Sequence, residues 1–151
     1  MNRLRMGVIG CGAIGQLAHI PYINRYDDRF ELVALSDVHR PTLDAVGDHY
    51  HVAGRHTDWR ELVARPDVDA VVICHNGSHR DTSIGALEAG KHVFVEKPLA
   101  WNVRETREVA AAVVKSGRIL QMGYHKLHDP GFAYPKEQLQ AMKDVGFGRI
   151  T

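Results

Sequence analysis

The chain has 151 residues, of which 44% are hydrophobic and 25% are charged, and its formal net charge is +1 at pH 7. This balance is typical of a globular domain and predicts neither a nucleic-acid partner nor a membrane partner. No apolar run approaches the roughly 20 residues that span a bilayer, and no signal peptide is recognisable. The two cysteines, Cys11 and Cys74, form no C-x-x-C motif, which favours a reducing cytoplasm. Each lies at the end of a predicted strand, so the two could be near neighbours, and buried, unreactive thiols are the favoured interpretation.

The first predicted strand, residues 3–9, leads directly into a glycine-rich turn. The sequence there reads G-C-G-A-I-G, which is a G-x-G-x-x-G pattern at the junction of a strand and a helix. In that pattern Gly10 permits a tight turn, Gly12 lets a pyrophosphate approach the backbone, and Gly15 lets the helix pack closely. The free N–H groups of the helix start then face the phosphates. The residues predicted to bind a dinucleotide here are Gly10, Gly12, Ala13, Ile14 and Gly15.

Asp37 supplies the second part of the pattern. It ends the second predicted strand, residues 31–36, and lies 22 residues after Gly15. A carboxylate at this distance can accept both ribose hydroxyls of an adenosine and would repel a 2′-phosphate, which favours NAD as the cofactor. Arg40 is close enough in sequence to offer a guanidinium to that phosphate, so NADP remains the alternative. The competing interpretation of Asp37 is a helix cap or a solvated turn residue.

The rest of the chain alternates predicted helices and strands. The first predicted helix, residues 13–26, contains Pro21, which should kink or shorten it. Further helices are predicted over residues 41–50, 58–64, 80–89, 102–116 and 130–144, and strands over residues 52–56, 69–74, 92–95 and 119–123. Repeated βα units imply parallel strands with helices on both faces. The predicted fold class is α/β, a doubly wound parallel sheet of the Rossmann type in three layers, filling residues 1–151 as one domain.

The stretch from Gly90 to Pro98, G-K-H-V-F-V-E-K-P, places charged residues directly after the predicted strand 92–95. In open α/β sheets, the carboxyl ends of the strands form the edge where ligands bind. A lysine at that edge, Lys97, can hold a hydroxyl or ketone oxygen and exchange a proton with it. On the residues alone, however, a Glu-Lys pair at a strand end is usually a solvated surface pair. The Lys97–Pro98 peptide bond is a candidate for the cis form, which would aim Lys97 into the cleft.

Together, the glycine turn, Asp37, the run from Asn76 to His79 and the E-K-P motif resemble the Gfo/Idh/MocA oxidoreductase family. The E-K-P motif, in an A-G-K-H-V-x-x-E-K-P setting, is the most specific of these signals. The resemblance implies a dinucleotide-binding domain that is followed, in the family, by a substrate domain absent from these residues. It also implies that Lys97 is the catalytic residue and contacts the cofactor, while Glu96 orients the lysine or the nicotinamide.

The run C-H-N-G-S-H begins at the end of the predicted strand 69–74. The family usually has T-P-N-x-x-H here, so Asn76 and His79 match, while Cys74 and His75 replace the usual Thr and Pro. The resemblance places Cys74, Asn76 and His79 among the cofactor-binding residues, with Asn76 beside the ribose or nicotinamide. The missing proline should make this turn less rigid. His125 and His128 have no third ligand at a suitable spacing, so no metal site is predicted.

Two functions of different classes agree with these patterns. The first is an NAD(P)-dependent oxidoreductase, or its cofactor-binding part, that transfers hydride to or from the alcohol or ketone of a sugar-like or cyclitol-like molecule. The second is a dinucleotide-binding module or sensor without turnover. The intact Lys97 favours the enzyme, whereas the missing substrate domain favours the module. The expected partners are nicotinamide dinucleotide and a small polyhydroxy substrate, and a homo-oligomer stays open.

Overall fold

The computed structural model of the chain describes residues 3–141, apart from the side chains of residues 125 and 127. The strands are β1 (Leu4–Ile9), β2 (Phe30–Ser36), β3 (Gly54–His56), β4 (Ala70–Ile73), β5 (His92–Val95) and β6 (Leu120–Met122). They pair in parallel, in the order β3-β2-β1-β4-β5-β6. The connections therefore change direction at the β1–β4 boundary, which confirms the predicted doubly wound parallel sheet.

Six α-helices accompany the strands in the described part of the chain. They are α1 (Ile20–Arg25), α2 (Arg40–His49), α3 (Trp59–Val63), α4 (Arg80–Glu88), α5 (Val103–Ser116) and α6 (Pro130–Ala141). Asn102 caps α5 because its side chain accepts a hydrogen bond from the Glu105 N–H, and Gly117 ends that helix at a φ of 64°. A short 3-10 turn over His125–His128 was not predicted. Residues 142–144 of the predicted last helix lie outside the described residues.

The helix after the glycine turn covers residues 13–25, close to the predicted 13–26, but contains a π-helical turn that was not predicted. Before α1, residues Gly15–His19 form a π-helical turn, in which the Ile20 N–H donates to the Gly15 carbonyl oxygen. Pro21 supplies a physical reason, because it has no N–H and its ring would clash with the carbonyl of Leu17 in a regular α-helix. A π-helical turn accommodates one extra residue and moves that carbonyl out of the way.

Each face of the sheet buries its own hydrophobic core. Ile9, Val71 and Ile73 pack on the face that α3, α4 and α5 cover. Val8 and Val72 pack on the opposite face, with residues of α1 and α2. Successive strand residues thus point to opposite faces, and β4 is apolar throughout because helices cover it on both sides. The three-layer architecture predicted from the sequence is confirmed.

The second of these faces is only partly covered. Both α1 and α2 belong to connections among β1, β2 and β3, so they lie over that half of the sheet. Beside α1, above β1, β4 and β5, an open apolar cavity of about 540 Å³ remains. Its walls include Met6, Tyr22, Tyr26, Phe94 and Ile119.

The buried position of β4 predicts a clear difference between two identical substitutions. Val71 is fully buried, whereas Val114 on α5 is 85% exposed. We expect Val71→Ala to lower the free energy of unfolding by about 2–3 kcal/mol, because two methyl groups leave a cavity in a packed core. Val114→Ala should change it by less than about 0.5 kcal/mol. Urea unfolding followed by circular dichroism measures both, and equal effects would contradict the described core.

Candidate functional site

The glycine turn lies where the ends of β1, β2 and β4 meet. Gly10 has a φ of 105°, and a Cβ atom on it would come within 2.5 Å of the backbone N of His75. A Cβ on Gly15 would come within 2.5 Å of the Gly10 carbonyl oxygen, so the helix starts directly against the turn. A Cβ on Gly12 would meet nothing within 4 Å. Gly10 and Gly15 therefore pack tightly against the protein backbone, whereas the space beside Gly12 is empty. A turn that binds a pyrophosphate requires both features.

The Asp37 carboxylate joins this turn to the start of α2. Its Oδ2 accepts a hydrogen bond of 2.7 Å from the Cys11 N–H, and its Oδ1 accepts one of 2.8 Å from the His39 N–H. The Gly10 N–H also donates to the carbonyl of Ser36, just before Asp37. Each carboxylate oxygen keeps a further lone pair for an incoming hydroxyl. Asp37 is thus a turn residue, and it also presents a charged acceptor beside the glycines.

Arg40 points its guanidinium along α2. Its Nε donates to Asp44 Oδ2 at 2.7 Å, and this contact raises the pKa of Arg40 and lowers the pKa of Asp44. Both residues are at the surface, where such a pair contributes little to stability. A 2′-phosphate at Asp37 would have to draw Arg40 away from Asp44.

The loop after β4 is held by two histidine rings. The His79 side chain is buried, with Nδ1 lying 2.6 Å from the Pro98 carbonyl oxygen and Nε2 lying 2.8 Å from the His75 carbonyl oxygen. Both ring nitrogens are therefore occupied within the protein, so His79 connects this loop to the loop after β5. His75 contacts Thr82 Oγ1 at 2.9 Å, and burial of the ring lowers its pKa. These contacts hold the turn that the missing proline was expected to loosen.

The loop after β5 carries Glu96 and Lys97. Glu96 Oε1 lies 3.0 Å from His19 Nε2, and both side chains are about 15% exposed. Glu96 Oε2 accepts a weaker hydrogen bond, at 3.3 Å, from the Lys97 backbone N–H. Within residues 3–141 the exposed Lys97 side chain makes no hydrogen bond or ion pair, and the Lys97–Pro98 peptide bond is cis, as predicted. Glu96 thus contacts the backbone of Lys97 and not its ammonium group.

The fold brings most of the predicted site residues to one edge of the sheet. Cys74 Sγ donates to the Gly10 carbonyl oxygen at 3.1 Å, which joins the end of β4 to the glycine turn. Ala13, Ile14 and Asn76 are exposed at this edge. Within the described residues no group of three His, Cys, Asp or Glu side chains could hold a metal ion. None of the helices of that region is long and apolar enough to cross a membrane.

Residues 4–124 match the profile of the Gfo/Idh/MocA family, which is described as an oxidoreductase family with an NAD-binding Rossmann fold. This chain belongs to that family. The match covers the whole sheet edge described above. The glycine turn and Asp37 lie within the matched residues, and so do the two loops after β4 and β5.

Several proteins are similar to this chain over most of its length. Inositol 2-dehydrogenase of Agrobacterium fabrum is 38% identical over 137 residues, which are 89% of this chain and 40% of that protein. The uncharacterized oxidoreductase YrbE of Bacillus subtilis is 37% identical over 127 residues, which are 83% of this chain and 37% of that protein. The crystal structure of scyllo-inositol dehydrogenase from Lactobacillus casei, with bound NAD(H) and scyllo-inositol, matches at a TM-score of 0.85 and 26% identity, covering 93% of this chain and 42% of that one. The chain therefore spans about two-fifths of the length of these relatives.

His19 is the residue of this edge that sequence reasoning missed. It lies on the π-helical turn, 77 residues before its partner Glu96, and no local pattern marks it. The only nearby signal is Pro21, which predicts a distorted helix without saying which side chain turns towards the sheet. In this Gfo/Idh/MocA domain, the missed residue contacts the E-K-P motif itself.

Both cysteines lie at the glycine turn, and we expect both to be chemically inert. Burial, and to a lesser degree the Asp37 carboxylate, raises the pKa of Cys11 to about 12. Burial is also the main cause that raises the pKa of Cys74 to about 12. At pH 8 both groups are therefore neutral thiols, and the thiolate is the reactive form.

We expect both thiols of the native chain to react with a disulfide reagent such as DTNB at least about 100-fold more slowly at pH 8 than in guanidinium chloride. In the native chain the rate should still rise about tenfold per pH unit between pH 9 and pH 11, because thiols with a pKa of about 12 are then still mostly protonated, whereas the rate in guanidinium chloride should level off over that range. Absorbance at 412 nm measures the rate. A thiol that reacts equally fast in the folded and unfolded chain would contradict this placement.

Proposed function

We propose that residues 1–151 form the dinucleotide-binding part of an NAD(P)-dependent oxidoreductase. The complete protein would transfer hydride between the nicotinamide and the alcohol or ketone carbon of a sugar-like or cyclitol-like substrate. The observation that carries this proposal is the Lys97 ammonium, unpaired among the described residues, at the same sheet edge as the glycine turn and Asp37. The relatives named inositol 2-dehydrogenase support a polyhydroxy substrate. We further propose a cytoplasmic location, which suits two free thiols.

The residues along this sheet edge fit both halves of a dinucleotide, the adenosine half at one end and the nicotinamide half at the other. The open position at Gly12 and the N–H groups at the helix start, near Ala13, Ile14 and Gly15, would hold the pyrophosphate. Asp37 would accept the ribose hydroxyls of the adenosine, and Cys74, Asn76, Glu96 and Lys97 would lie along the nicotinamide half. Because its ring is buried, His79 would not touch the cofactor itself. It would instead hold in place the two loops that line the site. The bound cofactor would supply the hydride acceptor or donor.

Lys97 would do the acid–base work of the reaction. During alcohol oxidation, the neutral amine of Lys97 would take the hydroxyl proton as the carbon loses its hydride. During ketone reduction, the ammonium would donate its proton to the oxygen as the hydride arrives. Its surroundings suit this role, since no carboxylate of the described residues pairs with the Lys97 ammonium. A non-catalytic binding module would share the glycine turn and Asp37 but would not depend on Lys97.

The cofactor proposal predicts saturable binding of NADH by the chain, with NADPH binding more weakly. Asp37→Ala should weaken NADH binding by about 10–100-fold, because hydrogen bonds to a charged group are lost, and should narrow the NADH/NADPH difference. Asp27→Ala, an exposed aspartate in the turn after α1, is the matched control and should change neither affinity. Isothermal titration calorimetry measures all three chains. Tighter binding of NADPH would show that Arg40 outweighs Asp37, and no binding of either cofactor would refute the proposal.

The catalytic role of Lys97 predicts a loss of rate without a loss of cofactor affinity. In a protein that joins this chain to the family's substrate domain, Lys97→Ala should lower kcat by about 10²–10⁴-fold, the usual contribution of a general acid–base group. The dissociation constant of NADH should stay within about threefold, because the pyrophosphate site is intact. Lys115→Ala, on the exposed side of α5, is the control. Unchanged kcat in Lys97→Ala would show that Lys97 is a solvated strand-end lysine and not a catalytic residue.

A further inference from the structure

The Glu96 carboxylate is held from two directions. One oxygen, Oε1, contacts His19 Nε2 at 3.0 Å. Because a carboxylate can only accept, His19 must carry its proton on Nε2 and donate it to Glu96. The other oxygen, Oε2, accepts from the Lys97 backbone N–H at 3.3 Å. The carboxylate therefore bridges the helix after the glycine turn and the residue proposed to carry the chemistry.

The fold fixes His19 in this place. It is the last residue of the π-helical turn that begins at Gly15. Because that turn contains one extra residue, the side chains before and after it are offset by about 100° around the helix axis. The His19 ring forms a T-shaped contact with the Phe94 ring on β5, with centroids 5.5 Å apart and planes at 61°. This T-shaped contact orients the imidazole towards Glu96, two residues beyond Phe94.

On the side of Glu96 that faces β6, a glycine leaves space for the carboxylate. A Cβ atom on Gly123 would lie 3.2 Å from Glu96 Oε1 and 3.3 Å from the Phe94 ring. Gly123 follows β6, and its N–H donates to the Val95 carbonyl oxygen at 2.8 Å. The end of β6 thus limits the rotamers open to Glu96, and His19 supplies the directional bond.

We propose that His19 is a positioning residue for Lys97. It fixes the Glu96 carboxylate, which in turn fixes the Lys97 amide and the direction in which the lysine side chain leaves the backbone. The bond at 3.3 Å would orient little by itself, but the carboxylate that accepts it is anchored by the shorter bond from His19. The Lys97 side chain itself has no hydrogen-bond partner within residues 3–141. The direction of its backbone therefore governs where the ammonium can reach.

This arrangement couples the two ends of the cofactor site. The helix that starts at the glycine turn contacts the proposed pyrophosphate, and the same helical stretch delivers His19 to the E-K-P motif. A movement of the helix start on cofactor binding would therefore be transmitted to Lys97 through one side chain. The inference rests on the proposed function, because it assigns His19 a role in the same site.

The experiment uses the 151-residue chain with NADH as the probe. The variants are His19→Ala, which removes the donor, and His19→Gln, whose amide N–H can replace Nε2–H. The control is His56→Ala, because His56 and Glu61 form a second pair of 3.0 Å with a similarly enclosed histidine, 19% exposed. Two-dimensional ¹H–¹⁵N NMR reports the Lys97 amide, and fluorescence titration reports both the affinity for NADH and the emission of the bound nicotinamide.

We expect His19→Ala to bind NADH within about threefold of the unaltered chain, because the glycine turn is intact. Its Lys97 amide should exchange about five- to tenfold faster, as expected for a weakened hydrogen bond, and the emission of bound NADH should fall towards that of the free cofactor. His19→Gln should restore both signals, and His56→Ala should change neither.

Two results would overturn the inference while leaving the proposed function intact. The first is NADH binding by His19→Ala with an unchanged Lys97 amide and unchanged emission. The second is an equal loss in His19→Gln and His56→Ala, which would show that general packing and not the directed bond is responsible. No NADH binding by the unaltered chain would instead refute the proposed function and the inference with it.

Discussion

The rest of the site depends on the backbone of Gly10, where three segments of the chain come together. Its N–H donates to the Ser36 carbonyl at the end of β2, and its carbonyl accepts from the Cys74 thiol at the end of β4. Any side chain at this position would collide with the backbone of His75, and a side chain on Gly15 would collide with the Gly10 carbonyl. The sheet can therefore close around the turn, and the helix can start against it, only because two positions carry no Cβ atom.

Beyond that turn, the edge is held together by polar contacts between loops. Asp37 connects the turn to the start of α2, His79 connects the loops after β4 and β5, and Glu96 connects the second of these loops to the helix after the turn. Loops that are cross-connected in this way lose little further freedom when a ligand binds, so less of the binding energy is spent on ordering them. The same loops leave the Lys97 ammonium free among the described residues.

The electrostatics of the edge follow from which groups stay neutral. The buried thiols of Cys11 and Cys74 hold their protons because their pKa values lie near 12. Charged side chains at the edge include Asp37, Glu96 and Lys97. Asp37 lies after β2 and Lys97 after β5, so β1 and β4 lie between these two charges along the sheet edge.

The sequence by itself determined the features that depend on local pattern. Alternating apolar segments and caps such as Asn102 and Gly117 identified nearly every helix and strand, because these signals act within a few residues. The glycine spacing, Asp37 and the position of Lys97 after a strand identified the site edge, because parallel topology brings strand ends together. The resemblance to a known family then connected these residues with one reaction, hydride transfer to or from a nicotinamide cofactor.

Only the tertiary structure decided what joins these pieces. The pair of His19 and Glu96 spans 77 residues, and it depends on a π-helical turn whose register no hydrophobic period reveals. The burial of His79 between two loop carbonyls likewise depends on how β4 and β5 pair, and not on its neighbours in sequence. Such contacts arise where packing brings distant segments within hydrogen-bond distance, and a pattern read along the chain contains no information about that distance.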